Sequence, residues 1–527
     1  MSKNVLIFSD GTGQAGGFRF DENRSNIYKL YRATRCGPDS SIDPSEQVAF
    51  YDPGLGSQAD GGHLAGRLAR AVYNLIASAT GFGITANIID CYAALIRLWK
   101  PGDRIFLFGF SRGAYTVRCL AGVITYCGIP TRGKDGAPLR LDVGSSRKLA
   151  AYAVKHVYQF TSSRPRSDAN AYQRFLLDTR TLLGRRFRGQ YGSADGDKAN
   201  VYPHFIGVFD TVASLGSFQK SLLLTALFLA LAAGISLVGQ YLSYFPQAPL
   251  VGRWLAHLGF TNTFFGIIGL TVLGLIIGFI YTHIKFDFFV PGYPLWKRLR
   301  TFHFTSIWQK FYDYTLNENV GYAKHAVSID ENRKDFERVK WGVKDKKHVT
   351  RDAHGNLWFE QVWFAGNHSD IGGSYPEQES RLSDITLKWM RDCASIIPGG
   401  LKYDPDVLRL YPGPDGMQHD EVKTGLGLIT KLCRISWPKK ERELPKSDGG
   451  GPSQATMHRS VYQRFDGNEV LLYDRMGLYR PETLRTHVDF KDYYLDGAPF
   501  PATSFQTAGA VAADPIRGTV ASTPPNP

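Results

Sequence analysis

Residues Ile105–Tyr115 read IFLFGFSRGAY. The apolar run Ile105–Phe108 suits a buried strand, and the stretch that follows the glycines, AYTVRCLAGVITYC, is apolar enough for a packed helix. Between them Gly109 and Gly113 flank Ser111 in the GxSxG spacing. Small residues on both sides let the backbone take the strained strand-to-helix turn that presents a nucleophilic hydroxyl. The spacing alone is common, but its setting between a buried strand and a buried helix points to Ser111 as a nucleophile rather than a small turn residue.

Outward from this turn, VLIF (5–8), VAFY (48–51) and HFIGVF (204–209) repeat the strand pattern, and ANIIDCYAALIRLW (86–99) has helical character. Strands alternating with helices predict an α/β fold, a mostly parallel sheet covered on both faces. Polar and glycine-rich segments follow each strand: SDGTG, DPGLG, GFSRGA and DTVAS. In such sheets ligands sit beyond the carboxyl ends of the strands, so these segments predict one functional rim.

A nucleophilic serine needs an imidazole base and a carboxylate to orient it. Of 13 histidines, His368 stands apart, because in QVWFAGNHSDIGGSY it enters a polar, glycine-rich loop directly after the apolar run VWFA. His204, His257, His283, His303 and His325 read better as packing or surface residues. Asp210 is the first polar residue after IGVF and is the expected acid, giving the chain order Ser111, Asp210, His368 of α/β hydrolases. Asp370, two residues beyond the histidine, is the alternative acid, and Asp384 is a weaker one. For the oxyanion the amide of Arg112 is one expected donor; Gly11 and Thr12, or Gly54 and Leu55, are candidates for the second. No cofactor or metal is called for.

At 527 residues the chain can bury a large core, and 43% hydrophobic with 21% charged residues is ordinary for a globular protein. The net charge of +14 favours an anionic partner surface; with the esterase chemistry, that surface is expected to be phospholipid and not nucleic acid. The six cysteines follow no CxxC or disulfide rhythm and read as reduced core residues. The short apolar run in MSKNVLIFSDGTG is too brief for a secretory h-region, so classical secretion is not expected.

Between Lys220 and Lys285 the pattern changes. Ser221–Gly252 and Trp254–Ile284 contain no Asp, Glu, Lys or Arg, and both are apolar all round. A helix needs about 20 apolar residues to cross a bilayer. Two transmembrane helices, about 221–244 and 262–283, are therefore expected rather than two buried core helices. Lys220, Lys285, Lys297, Arg298 and Arg300 lie on one side against Arg253 alone in the connecting turn, which predicts that the catalytic parts face the cytoplasm. Trp254 and Trp296 suit the interface. The expected organisation is 1–215 for the first part of the catalytic domain with a helical cap at about 131–200, 216–305 for the hairpin insertion, and 306–395 for the part carrying the histidine. An accessory region, 396–498, and a disordered Pro/Ala/Thr/Gly-rich tail, 499–527, complete it.

The ordered segments FSDGTGQ, FYDPGLG, GFSRGAYTVR, GVFDTVASLG, HAVSIDENRKDF and WFAGNHSDIGGSY resemble the DUF2235 family, whose members include type VI secretion phospholipase effectors of the Tle1 type. That resemblance implies an α/β-hydrolase core, a serine esterase or phospholipase acting on lipid esters, and a triad that maps onto Ser111, Asp210 and His368. The hairpin has no counterpart in the family core, which leaves an injected effector, with a secretion-system or immunity partner, and a resident membrane hydrolase as distinct roles. A catalytically silent interaction protein on the same scaffold is the alternative; it predicts a broken triad. The N-terminal motif is also similar to that of haloacid-dehalogenase phosphatases, but Phe8 stands where their nucleophilic Asp would be. No GxxxxGK[ST] is present.

Overall fold

The computed structural model describes residues 2–11, 23–54, 83–160, 166, 169–212, 218–242, 250–285, 303–304, 315–342, 350–424, 439–447, 451–473, 475–495 and 511–512. Eight strands form one sheet: β1 (Asn4–Ser9), β2 (Gln47–Asp52), β3 (Arg104–Phe110), β4 (Phe205–Phe209), β5 (Tyr322–Ser328), β6 (Phe359–Phe364), β7 (Met457–His458) and β8 (Val511–Ala512). Their order is β8-β7-β6-β5-β4-β3-β1-β2, with every neighbouring pair parallel. The α/β class and the mostly parallel sheet expected from the strand–helix alternation are thus present.

Period-two alternation divides the central strands between two cores. Val5, Ile7, Ile105, Leu107, Ile206 and Val208 face the helices Ile84–Leu98 and Arg112–Cys127. Leu6, Phe8, Phe106, Phe108, Phe205 and Phe209 face the helices Asn26–Thr34 and Arg381–Ile396. On the second face Phe8 stacks on Phe108 at 5.1 Å between ring centroids, continuing to Phe205 at 5.5 Å. These apolar runs read as continuous because both sheet faces are buried.

Within 131–200, the helices Val143–Tyr152 and Ala171–Tyr191 share the core of Ile84–Leu98 and Arg112–Cys127 through Ala150, Leu183 and Phe187. Beyond residue 396, β7 adds to the sheet, and Val461, Phe465 and Phe490 pack on Val327 and Trp363. In the C-terminal tail, Val511–Ala512 pairs with β7.

The apolar insertion forms two helices that pack on one another, Phe218–Leu242 and Leu250–His283. The second is broken at Gly259, whose φ of 71° and ψ of 169° leave the helical region. The expectation of two spans is met only in part. Among the described residues one helix is long and apolar enough to cross a membrane, at Gly259–Gly278, with mean hydropathy 2.0 and 6% of that window buried. The first helix contributes a shorter apolar stretch, Phe228–Tyr241. Its first seven side chains, 218–224, lie outside the described residues, as do the side chain of Trp254 and the whole of Trp296, Lys297, Arg298 and Arg300.

Candidate active site

The carboxyl ends of β1 to β6 carry, in chain order, Asp10, Asp52, Ser111, Asp210, Asp330 with Glu331, and His368. The strand order reverses at β1, flanked by β2 and β3, the point where an open parallel sheet leaves a crevice.

Ser111 sits between β3 and the helix Arg112–Cys127 with φ 57° and ψ −119°, a conformation costly for a residue with a Cβ. Steric demand accounts for both flanking glycines. A Cβ on Gly109 would lie 2.5 Å from the Gly113 carbonyl oxygen, and one on Gly113 would lie 1.9 Å from that of Ser9. Because the second obstacle is backbone, Gly113→Ala is expected to cost about 1–3 kcal/mol or more. Chemical unfolding that leaves the midpoint unchanged would contradict this close approach.

The Ser111 amide donates to the Phe209 carbonyl at 3.1 Å, which joins the turn to the residue before Asp210. Asp210 is fully buried with an unusual positive φ of 36°. Its Oδ2 lies 2.6 Å from His368 Nδ1, although the two are 158 residues apart. The His368 ring is tilted against Phe110 at 4.6 Å, next to Ser111, and meets Phe336 edge-on at 5.2 Å. Among the described residues Nε2 of His368 is buried and has no hydrogen-bond partner. Burial pushes the Asp210 carboxyl upward, but the Arg442 charge and the His368 bond outweigh it, holding the group well below the usual carboxylate range.

Asp370 lies elsewhere. Its Oδ1 pairs with His419 Nδ1 at 2.7 Å, while Oδ2 accepts the amides of Asn367 (3.0 Å) and His419 (3.1 Å). Asn367 in turn caps the short helix His368–Gly372. The geometry makes Asp370 a brace of the histidine loop, and it is Asp210 that reaches the catalytic candidate's Nδ1. Asp384 pairs with Lys29 at 3.2 Å.

Of the oxyanion candidates, Arg112 opens its helix, where an amide has no carbonyl one turn earlier to bind. Gly11 lies close to Ser111, since a Cβ on it would be 3.5 Å from Ser111 Cβ; its N–H, however, donates to Asp10 Oδ1 at 2.7 Å. Gly54 is buried beyond β2. Thr12 and Leu55 lie outside the described residues. Among the described residues no group of three or more His, Cys, Asp or Glu side chains could hold a metal.

Two site residues escape a reading by pattern. Glu331 accepts the His368 amide at 3.2 Å and is held by both arms of Arg333 at 2.8 Å; its position just past β5 was the available signal. Arg442 forks onto both oxygens of Asp210 at 2.5 and 3.0 Å. It lies in the charged run KKERELPK, which resembles a solvated surface.

The family model for the type VI secretion phospholipase effector Tle1-like catalytic domain matches residues 3–244 and 290–393, so its break removes the second apolar helix and not the first. An uncharacterised protein of Saccharomyces cerevisiae, YEL023C, is 30% identical over 223 residues, 42% of this chain and 28% of that protein. An uncharacterised Pseudomonas aeruginosa protein of known structure is similar at 16% identity and a TM-score of 0.31, over 78% of this chain and 48% of that one. The Tle1 effector solved bound to the VgrG spike of the type VI secretion system is similar at 15% identity and a TM-score of 0.28, over 72% and 53%. The chain thus spans about a quarter of the yeast relative and about half of each solved chain. By the extent of the matched residues, this chain belongs to the family of Tle1-like phospholipase effector catalytic domains.

Proposed function

We propose that the chain is a membrane-anchored serine esterase that cleaves carboxylic esters of membrane lipids, phospholipids foremost. The observation that carries this reading is the 2.6 Å contact between buried Asp210 and His368 Nδ1, beside the strained turn at Ser111. An anionic Asp210 accepts from Nδ1–H, leaving Nε2 as the unprotonated nitrogen. Ser111 Oγ attacks the ester carbonyl carbon as Nε2 takes its proton; the imidazolium then protonates the departing alcohol, leaving an acyl-serine. Water, deprotonated by the same nitrogen, releases the fatty acid and restores Ser111. The amide of Arg112 supplies one donor to the oxyanion. The second comes from the Gly11–Thr12 or the Gly54–Leu55 loop, and a role for Gly11 requires its amide to leave Asp10.

A fluorescent alkylphosphonate ester, which traps nucleophilic serines, tests the reading directly. Wild type should be labelled at Ser111 and Ser111→Ala should not; equal labelling of both would remove the assignment. The silent-scaffold alternative predicts no labelling at all.

The apolar helix pair is the proposed anchor. Leu231, Leu237, Leu270, Leu275 and Ile277 are each more than half exposed, an arrangement suited to hydrocarbon and costly in water. Both flanks of the pair then share one compartment, as a sheet built from residues on either side requires, and the basic flank assigns that compartment to the cytoplasm. Docking to a secretion spike, as in the solved Tle1–VgrG complex, is the competing placement for an effector. Replacing residues 220–285 with a short polar linker should yield a more soluble protein that still cleaves a small water-soluble ester and loses most activity on vesicles. Detergent-free extraction of the intact protein, unfolding of the deletion variant, or protease access to the catalytic part from the opposite face alone would each count against the anchor.

A further inference from the structure

Arg442 is almost entirely buried and spends four hydrogen bonds at one place. Nη1 donates to Asp210 Oδ1 at 2.5 Å and to the Ser328 carbonyl at 3.4 Å; Nη2 donates to Asp210 Oδ2 at 3.0 Å and to the Phe336 carbonyl at 3.0 Å. The Ser328 amide completes the shell with a 3.1 Å bond to Asp210 Oδ1. A carboxylate that only had to orient an imidazole would be held sufficiently by backbone amides. A full counter-charge does something more, because it partly cancels the negative potential that Asp210 exerts on His368.

Resting on the triad reading above, we propose that Arg442 is a positioning residue that locks the Asp210 carboxylate in register with His368 and keeps the pair from taking up a proton in mildly acid conditions. The other charged or titratable groups facing the pair are Glu331, which accepts the His368 amide and is neutralised by Arg333, and on the side of Asp210 Arg338 and His325, whose imidazole burial keeps neutral. Two carboxylates are thus matched by the two forked guanidiniums of Arg442 and Arg333. Removing Arg442 takes away the guanidinium bonded to both Asp210 oxygens and leaves the carboxylate's charge far less compensated, with Arg338 alone on that side. The pair then binds a proton more readily, whether that proton resides on the imidazole or on the acid. Since Nε2 must be unprotonated to act as base, the acid limb of the pH–rate profile must move to higher pH.

The test is kcat/KM against pH on a short-chain water-soluble ester, using the full-length protein in detergent, for wild type, Arg442→Met and Arg442→Lys. Arg442→Met is expected to move the acid-limb midpoint up by about one unit. The variant would then lose roughly tenfold more activity on the acid side than on the plateau. Arg442→Lys, with the charge but not the fork, should keep the midpoint near that of wild type and lower the plateau. A uniform fall with an unmoved midpoint in Arg442→Met would show a merely structural role and overturn the inference. If that variant does not fold, a wild-type plateau in Arg442→Lys overturns it instead. Hydrolysis that persists in Ser111→Ala would defeat the triad itself. A silent Ser111→Ala together with unmoved profiles at Arg442 defeats this inference alone.

Discussion

Ser111→Ala is expected to lower ester turnover by about 10⁴- to 10⁶-fold, and His368→Ala by a similar factor, with the double variant little worse than either. In the proposed mechanism the two residues act as one device. Without Oγ there is no atom to form the acyl intermediate, and without Nε2 the hydroxyl stays protonated and is a poor nucleophile. Structural loss should be small for Ser111→Ala, since Ala retains the Cβ that the turn already accommodates at φ 57°. A far-ultraviolet spectrum and unfolding midpoint like those of wild type would separate lost chemistry from lost fold. Undiminished hydrolysis by either single variant would remove the assignment.

The second large effect is a ranking. Asp210→Asn is expected to reduce turnover by about 10⁴-fold. The amide cannot stabilise an imidazolium and can hold His368 in the wrong tautomer, while Arg442 is left facing a neutral group. Asp370→Asn should act differently. It weakens the 2.7 Å pair with His419 and the bonds that brace Asn367, so it should cost about 1–3 kcal/mol of stability with a far smaller loss of turnover. The measurement is kcat/KM together with the unfolding midpoint for both variants. If Asp370→Asn proves the more damaging to turnover, the acid's role passes to Asp370.

The strands β1 to β4 and the helix after β2 are legible from apolar runs and turn residues, because a parallel sheet buried on both faces demands near-continuous Val, Ile, Leu and Phe. The turn at Ser111 is legible for a steric reason confined to a few neighbours: Gly113 meets Ser9 and Gly109 meets Gly113, so no larger residue fits. Strand ends likewise bring polar residues to a common rim, which makes Ser111, Asp210 and His368 plausible partners before any contact is known.

Which carboxylate serves which histidine is another matter. Asp370 is two residues from His368 and yet pairs with His419, because the capping of the short helix His368–Gly372 turns its carboxylate back toward Asn367 and His419. Arg442, 232 residues from Asp210, sits in a run of charges that periodicity assigns to solvent. The apolar insertion shows the same limit, for composition marks two hydrophobic segments, whereas the backbone break at Gly259 and the exposed faces of the helices exist only in three dimensions. Strand, helix and tight turn follow from interactions over a few residues, so they are written in spacing. A buried ion pair is settled by which distant groups the closed sheet and its crossing loops bring within 3 Å in a place without water to screen them.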